Sequence, residues 1–292
     1  MRIAITGAGG RLGKALRAAA SARGHDAVAW GRAELDVRDA AAARQAVAAA
    51  RPAWVINCAA MTNVDECEGA RDEALRVNGA AVAALGAAAQ HVRARLCQVS
   101  TDYVFAGAPD RAPYREGDDV GPVNQYGTAK LAGERAAMRW GGALVARVAL
   151  LYGDPDRPAF IEKVFERARA GERIQAAADM AGSPTFAPAA ANAILALCEQ
   201  EREGVWHVAG AGGATRHAQA VVAAEAVRPG ARVLVDAVAA EALKLPARRP
   251  PDARLDTTKL VGEAGVALPP WEETVRAWAA LWLERASPAR RT

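Results

Sequence analysis

Hydrophobic positions in the first half of the chain fall in short continuous runs, separated by longer alanine-rich segments. Short β-branched runs are typical of strands, and alanine-rich segments have the composition of helices. Strands that alternate with helices and lack a polar face predict a parallel sheet with helices on both sides. The predicted strands are 2–6, 27–30, 54–59, 96–100 and 144–151, and the predicted helices are 12–22, 39–50, 71–91 and 125–140.

The alternation of strands and helices becomes less regular after about Tyr152, where proline residues become frequent. There we predict helices over 160–170, 192–201 and 271–285, a strand over 205–209 and a loop over 245–252. The expected fold class is α/β: a doubly wound parallel sheet of Rossmann type with a smaller C-terminal substrate-binding lobe. The sheet domain would cover 1–153, with returning segments from about 179–215, and the lobe would cover 154–292.

Composition narrows the classes of partner. The chain has 292 residues, 52% of them hydrophobic, and its net charge of +4 is spread without a basic block. We therefore expect no nucleic-acid partner. There is no apolar leader and no uncharged apolar run of about 18 residues, so no membrane partner is expected. Four cysteines without C-x-x-C spacing predict no metal site and a cytoplasmic location.

A glycine cluster follows the first strand directly and opens the first helix. Gly7, Gly10 and Gly13 have the spacing G-x-x-G-x-x-G. In this context the glycines allow a tight turn and a close approach of the backbone to a pyrophosphate. The first helix, opened by Arg11 and Leu12, would present free N–H groups to the phosphates. The cluster predicts a dinucleotide site.

The second strand bears on which dinucleotide binds. Its end, Trp30-Gly31-Arg32, has no acid that could bind the ribose hydroxyls of NAD. Arg32 could hold the 2′-phosphate of NADP through its paired donors, although an ordinary exposed arginine fits equally well. NADP is therefore favoured, and NAD is the alternative. At the end of the third strand, Cys58, Ala59 and Ala60 would line the ribose side of the nicotinamide.

A second constellation carries proton-transfer chemistry. Tyr126 and Lys130 are spaced i and i+4, so they share one face of a helix. A phenol can protonate the alkoxide that hydride transfer produces, and a nearby ammonium would lower the pKa of that phenol. Thr101 lies at the carboxyl end of a predicted strand, the edge where such sheets bind ligands. Thr101, Tyr126 and Lys130 are the predicted catalytic residues.

The motifs resemble those of the dTDP-4-dehydrorhamnose reductase family, which belongs to the extended short-chain dehydrogenases/reductases. STDYVFAG and GSPT are the most specific. The resemblance rests on TGAGGRLG at 6–13, LDV at 35–37, INCAAMTNVDECE at 56–68, VN at 77–78, STDYVFAG at 100–107, PYREGD at 113–118, YGTAK at 126–130, GE at 133–134, LYG at 151–153, GSPT at 182–185, VWHVAG at 205–210 and LDTTKL at 255–260.

The resemblance implies an NAD(P)H-dependent reduction of a nucleotide-linked 4-keto-6-deoxy sugar, with dTDP-4-dehydrorhamnose as the first candidate. It assigns the catalytic roles to Thr101, Tyr126 and Lys130, and it places Asp36 and Val37 beside the adenine. The substrate positions that it indicates are Thr101, Asp102, Tyr103, Arg147, Leu150 and Ser183.

Several residues depart from the pattern of this family on the substrate side. Leu150 stands where an aromatic residue is usual, Met61 where tyrosine is usual and Met180 where glutamine is usual; an asparagine expected near 158–160 is also missing. The reductase chemistry is therefore better supported than the identity of the sugar. For the acids at 65, 66 and 68 we favour a solvated cluster over a metal site.

Two other functions remain open. One is a reductase or epimerase that acts on another nucleotide sugar. Dehydratases of this broad group carry Asp-Glu after the hydroxyl residue, whereas Asp102-Tyr103 follows here. The other is a non-catalytic regulatory subunit with the same fold, which the presence of Tyr126 and Lys130 disfavours. A homodimer is left open.

Overall fold

The computed structural model describes residues 1–286 and contains a six-stranded parallel sheet. The strands are β1 (Arg2–Thr6), β2 (Asp26–Trp30), β3 (Trp54–Asn57), β4 (Arg95–Thr101), β5 (Leu144–Val148), β6 (Leu151–Tyr152), β7 (Ile174–Ala177), β8 (Ala181–Gly182), β9 (Thr185–Phe186), β10 (Gly204–Val208), β11 (Ala214–Thr215) and β12 (Val235–Val238).

The helices cover both faces of this sheet and build a second lobe. They are α1 (Arg11–Ala22), α2 (Ala40–Ala50), α3 (Val64–Gly69), α4 (Arg71–Leu75), α5 (Ala81–His91), α6 (Gln125–Ala137), α7 (Phe160–Ala170), α8 (Ala187–Glu199), α9 (Arg216–Val227), α10 (Thr258–Ala264) and α11 (Trp271–Ala286). A π-helical stretch, Arg76–Ala80, joins α4 to α5, and short 3₁₀ turns occupy Asp102–Val104, Ala231–Leu234 and Ala240–Leu243.

The order of the large sheet is β2-β1-β3-β4-β5-β10, and every neighbouring pair is parallel. The expected doubly wound α/β fold is confirmed. The direction of strand addition reverses between β1 and β3, and such a switch point leaves a crevice at the carboxyl ends of the strands. This crevice lies next to the glycine cluster that follows β1.

Two predicted elements have other bounds in the structure, and the second half also contains elements that were not predicted, among them β7, β12, α9 and α10. Helix α8 begins at Ala187 rather than near 192, because Pro188 is accommodated in its first turn, where a missing N–H costs nothing. The strand predicted over 144–151 is broken into β5 and β6. Leu150 has a positive φ of 44°, which ends the extended conformation between them.

Segments from beyond residue 153 complete the large sheet. The edge strand β10 pairs with β5, and α8 packs against α1. Residues Leu260, Ala264 and Leu268 join the same core, so the returning segments reach further along the chain than 215. The second lobe has its own core around α7, α9 and α11. The division at residue 153 stays a prediction.

Helix α6 approaches the end of β4 closely. A Cβ on Gly127 would lie 2.2 Å from the carbonyl oxygen of Tyr103, which follows β4 directly. The Asn124 side chain accepts from the Gly127 N–H and caps the helix. A second tether is Glu68, whose carboxylate accepts from the Gln125 N–H at 2.8 Å. These contacts fix the position of the helix that carries Tyr126 and Lys130.

We expect Gly127→Ala to lower the free energy of unfolding by about 1–3 kcal/mol, because the added methyl forces α6 away from β4. Gly262→Ala is the matched control. It lies in α10 with nothing within 4 Å of its Cβ position, so the change should be neutral or stabilising by about 0.5–1 kcal/mol. Urea denaturation measures both, and equal effects of the two substitutions would contradict the close approach.

Candidate active site

The glycine cluster forms an anion cradle at the carboxyl end of β1. Gly7 has φ +63°, and a Cβ there would lie 2.6 Å from the Ala59 amide nitrogen. Helix α1 begins after Gly10 with no side-chain cap and no acidic residue in its first turn. Its first N–H groups therefore face the crevice without a competing acceptor, as a phosphate site requires. These residues fit the phosphates of a dinucleotide.

A line of buried polar side chains runs across the strand ends beside this cradle. The Thr6 hydroxyl donates to the Asn57 Oδ1 at 2.6 Å, and the Asn57 Nδ2 donates to the Gln98 Oε1 at 2.7 Å. The carbonyl oxygen of Val99 accepts from the Gln98 Nε2 at 2.7 Å and from the Lys130 Nζ at 2.6 Å. The side chain of Lys130 is thereby held at the same sheet edge as the glycine cluster.

The Thr101 and Tyr126 hydroxyls lie close together, and Lys130 contacts the same strand through the Val99 carbonyl oxygen. The Thr101 hydroxyl donates to the Asp102 Oδ1 at 2.9 Å. Thr101 and Lys130 are only 5% and 3% exposed, respectively. Cys58 is close to Lys130, so the expected nicotinamide wall adjoins the same site. A carbonyl placed between Tyr126 and Thr101 would have two hydroxyl groups within reach.

The acid strengths in this cluster differ from the expectation. Burial raises the pKa of the Tyr126 phenol above its usual range, and the hydrogen bond with Thr101 offsets part of that shift. Burial also lowers the pKa of the Lys130 ammonium to about 8. Desolvation therefore outweighs the lowering of the Tyr126 pKa that the sequence spacing suggested.

The second lobe contributes a cation that sequence reasoning missed. Arg216, the first residue of α9, lies close to the Tyr103 side chain and stacks over the Phe160 ring at 4.9 Å. Its charge also acts on Asp102. Tyr103 in turn meets Tyr126 edge to face, with ring centroids 6.0 Å apart. Only the structure reveals this arginine, because no motif marks it.

The remaining expected substrate residues have different surroundings. Arg147 is bound to Glu134 through two hydrogen bonds of 2.9 and 2.8 Å, and its side chain is 4% exposed. Its guanidinium is thus already paired, so Arg147 is left out of the proposed substrate site. Ser183 is fully buried, and its hydroxyl accepts from the Leu255 N–H at 3.2 Å. Leu150 packs beside an apolar cluster that includes Val104.

Sequence reasoning also missed an acid on the adenine side of the crevice. The Glu34 carboxylate accepts from the Gly31 N–H at 2.8 Å, so an acid does reach the end of β2, through a turn. Arg32 is exposed there. The Asp36 carboxylate is held by Arg38, which lowers its pKa to about 2. The end of β2 therefore has both an arginine, which suits the 2′-phosphate of NADP, and an acid, which suits the ribose hydroxyls of NAD.

Two further positions of this edge bear on the cofactor. Val37 is buried, so its side chain forms part of the wall rather than of the surface. The Arg11 side chain donates to the Arg157 carbonyl oxygen, and its Nε is buried with no hydrogen-bond partner among residues 1–286. An unpartnered guanidinium N–H beside the glycine cluster suits an anionic ligand.

Two of the three acids at 65, 66 and 68, which follow β3, have side-chain partners. Asp65 pairs with Arg249 at 2.9 Å and accepts from the Ala247 N–H, which anchors the 245–252 loop. Glu68 caps α6. In the described part of the chain, no group of three or more potential ligands is arranged to hold a metal, and no helix is long and apolar enough to cross a membrane. The cytoplasmic location stays a prediction.

Comparison with known proteins agrees with this geometry. The family described as RmlD substrate binding domain matches residues 1–282. The chain belongs to this family. It is 41% identical to the dTDP-4-dehydrorhamnose reductase of Mycolicibacterium smegmatis over 229 residues, which covers 77% of this chain and 69% of that protein.

Two solved structures of family members are similar along nearly the whole chain. The dTDP-4-dehydrorhamnose reductase of Clostridium acetobutylicum is 30% identical with a TM-score of 0.91, and the match covers 97% of this chain and 100% of that one. The enzyme of Bacillus anthracis, determined in complex with NADP, is 30% identical with a TM-score of 0.89, and the match covers 96% and 99%.

Two of the positions that depart from the family pattern lie close to the candidate catalytic residues or to Arg216. Met61 packs in the small cluster that contains Tyr126. The backbone of Met61 is clamped by Asn78 of the π-helical stretch, through hydrogen bonds of 2.9 and 3.0 Å. The Met180 carbonyl oxygen accepts from the Arg216 N–H at 2.8 Å, so Met180 adjoins the second lobe's arginine. Apolar side chains thus stand where the pattern has polar or aromatic ones.

We expect Gly7→Ala to abolish dinucleotide binding, because its methyl would collide with the Ala59 amide and the φ of +63° would be strained. Gly9→Ala is the matched control, since nothing lies within 4 Å of its Cβ position. Isothermal titration with NADPH measures the affinity, and circular dichroism checks that both variants are folded. Unchanged affinity in a folded Gly7→Ala variant would contradict the cradle.

Proposed function

We propose that this protein is an NAD(P)H-dependent reductase of a nucleotide-linked 4-keto-6-deoxy sugar, with dTDP-4-dehydrorhamnose as the first candidate substrate and dTDP-L-rhamnose as its product. The observation that carries the proposal is the meeting of Tyr126, Thr101 and Lys130 beside the anion cradle. Family members named for this reaction, one of them solved with NADP, support it.

The residues of the chain divide the chemistry among them. A bound nicotinamide would supply the hydride for the carbonyl carbon. Tyr126 gives its phenolic proton to the carbonyl oxygen, and Thr101 donates a hydrogen bond that orients the same oxygen. Lys130 donates one N–H to the Val99 carbonyl oxygen and has further donors for the cofactor ribose. Burial of this cluster excludes water, which strengthens each of these interactions.

We expect Tyr126→Phe to lower kcat by about 10²–10⁴-fold, because it removes the proton donor and little volume. NADPH affinity should stay within about threefold of wild type, since the ring remains, and an affinity change of that size corresponds to well under 1.4 kcal/mol. The measurements are NADPH oxidation at 340 nm (from the absorbance of the reduced nicotinamide) and titration calorimetry. Full activity in this variant would remove Tyr126 from the mechanism.

Cofactor choice is tested by a pair of opposite substitutions at the end of β2. Arg32→Ala should raise the KM for NADPH relative to NADH, because it removes a donor for the 2′-phosphate. Glu34→Ala should lower that ratio, because it removes a carboxylate that repels the 2′-phosphate. Each change should be about tenfold, the equivalent of one charged hydrogen bond. If both variants leave the ratio unchanged, neither side chain contacts the ribose.

Substrate scope is tested with enzymatically made dTDP-4-keto-6-deoxy sugars, with and without the 3,5-epimerase that makes the L-lyxo form. Met61, Leu150 and Met180 make the wall apolar, which suits the methyl group of a 6-deoxy sugar. We expect turnover only with the epimerase present. Turnover without it would indicate another deoxysugar. Cofactor binding without turnover in either case would favour the regulatory subunit.

A further inference from the structure

The Thr101 hydroxyl has one proton to donate, and its present partners leave none for a substrate. It accepts from the Tyr103 N–H at 3.2 Å and donates to the Asp102 Oδ1 at 2.9 Å, and the Tyr126 hydroxyl lies beside it. A hydroxyl has one proton and two acceptor sites. While its proton goes to Asp102, Thr101 can only accept from Tyr126, and it has nothing to donate to a substrate carbonyl.

Asp102 is placed to change this arrangement. It is 2% exposed, and its second oxygen, Oδ2, is buried with no hydrogen-bond partner among residues 1–286. An unpartnered buried carboxylate oxygen is costly when charged, which favours the protonated acid. Burial accordingly raises the pKa of Asp102 to about 7. The groups that face it are Thr101 on β4, Tyr103 on its own turn, Tyr126 on α6 and Arg216 on α9.

We propose that Asp102 is a positioning residue that sets the direction of the Thr101 hydroxyl. Protonated Asp102 donates to Thr101, whose second acceptor site is already filled by the Tyr103 N–H. The Thr101 proton then turns toward the Tyr126 oxygen and the substrate carbonyl. When Asp102 is ionised, its carboxylate accepts the Thr101 O–H hydrogen bond again. The protonated form is therefore the reductive form of the site. The inference rests on the proposed reductase function and deepens it.

The decisive variant is Asp102→Asn, which resembles the protonated acid because its amide can donate to Thr101 at every pH. The measurement is the ratio of kcat/KM for this variant over wild type between pH 6 and 9. Lys130 titrates nearby, but it is present in both proteins and cancels in the ratio. We expect the ratio to rise about tenfold per pH unit above the Asp102 pKa. A ratio that stays constant over this range would overturn the proposal.

A double-mutant cycle separates positioning from a merely structural role. In the Thr101→Val background, Asp102→Asn should leave the pH profile unchanged, because Asp102 acts through the missing hydroxyl. In the Thr101→Ser background, which restores a hydroxyl, the rise of the ratio with pH should return. A rise of the same size in the Thr101→Val background would show that Asp102 does not act through Thr101.

A readout without turnover distinguishes failure of this inference from failure of the proposed function. A folded-state pKa above the unfolded value contributes stability at low pH that is lost as the pH rises through the folded pKa. Wild type should therefore lose Tm relative to Asp102→Asn between about pH 4 and 7, the interval between the unfolded and the folded pKa of Asp102. A constant Tm difference would mean that Asp102 does not hold a proton in this range, and the inference would fail even if the enzyme reduces its substrate. The expected Tm shift without any turnover would instead leave Asp102 titrating as inferred and remove the reductase function.

Discussion

The close packing of α6 against the end of β4 is the constraint on which the site depends. Gly127 has no room for a side chain because the Tyr103 carbonyl oxygen occupies that space. This contact sets the distance between a helix that carries a phenol and an ammonium and a strand end that carries a hydroxyl. Capping by Asn124 and Glu68 fixes the helix along its axis. Neither Tyr126 nor Lys130 would meet Thr101 if the helix began a turn later.

Burial then shifts the pKa values of these groups. The polar line from Thr6 to Lys130 satisfies buried donors and acceptors across three neighbouring strands. The same desolvation pushes the pKa of Lys130 down and those of Tyr126 and Asp102 up. At neutral pH Tyr126 is consequently a neutral phenol that can give up a proton, Asp102 is within its titration range, and Lys130 is still mostly protonated.

The sequence was sufficient where function follows from local spacing. The glycine cluster predicted the turn between β1 and α1, and the i,i+4 spacing predicted a helix that carries Tyr126 and Lys130. Thr101 lies at the end of β4 as expected, and the doubly wound α/β fold is confirmed. Long-range partners could not be foreseen. Glu34 reaches the end of β2 only through a turn, Arg216 arrives from another lobe, and Arg147 is paired with Glu134 across β5 and α6. A pattern along one element contains no information about which distant charge will neutralise it.

The most direct test of the account is a crystal structure of the ternary complex with NADP⁺ and dTDP-L-rhamnose. The C4 hydroxyl oxygen of the sugar should lie within hydrogen-bond distance of both the Tyr126 and the Thr101 hydroxyls. The pyrophosphate of the cofactor should lie on the N-terminus of α1, against Gly7 and Gly10. A sugar whose C4 oxygen contacts neither hydroxyl, while the cofactor occupies the cradle, would contradict the assignment of this cluster as the site of reduction.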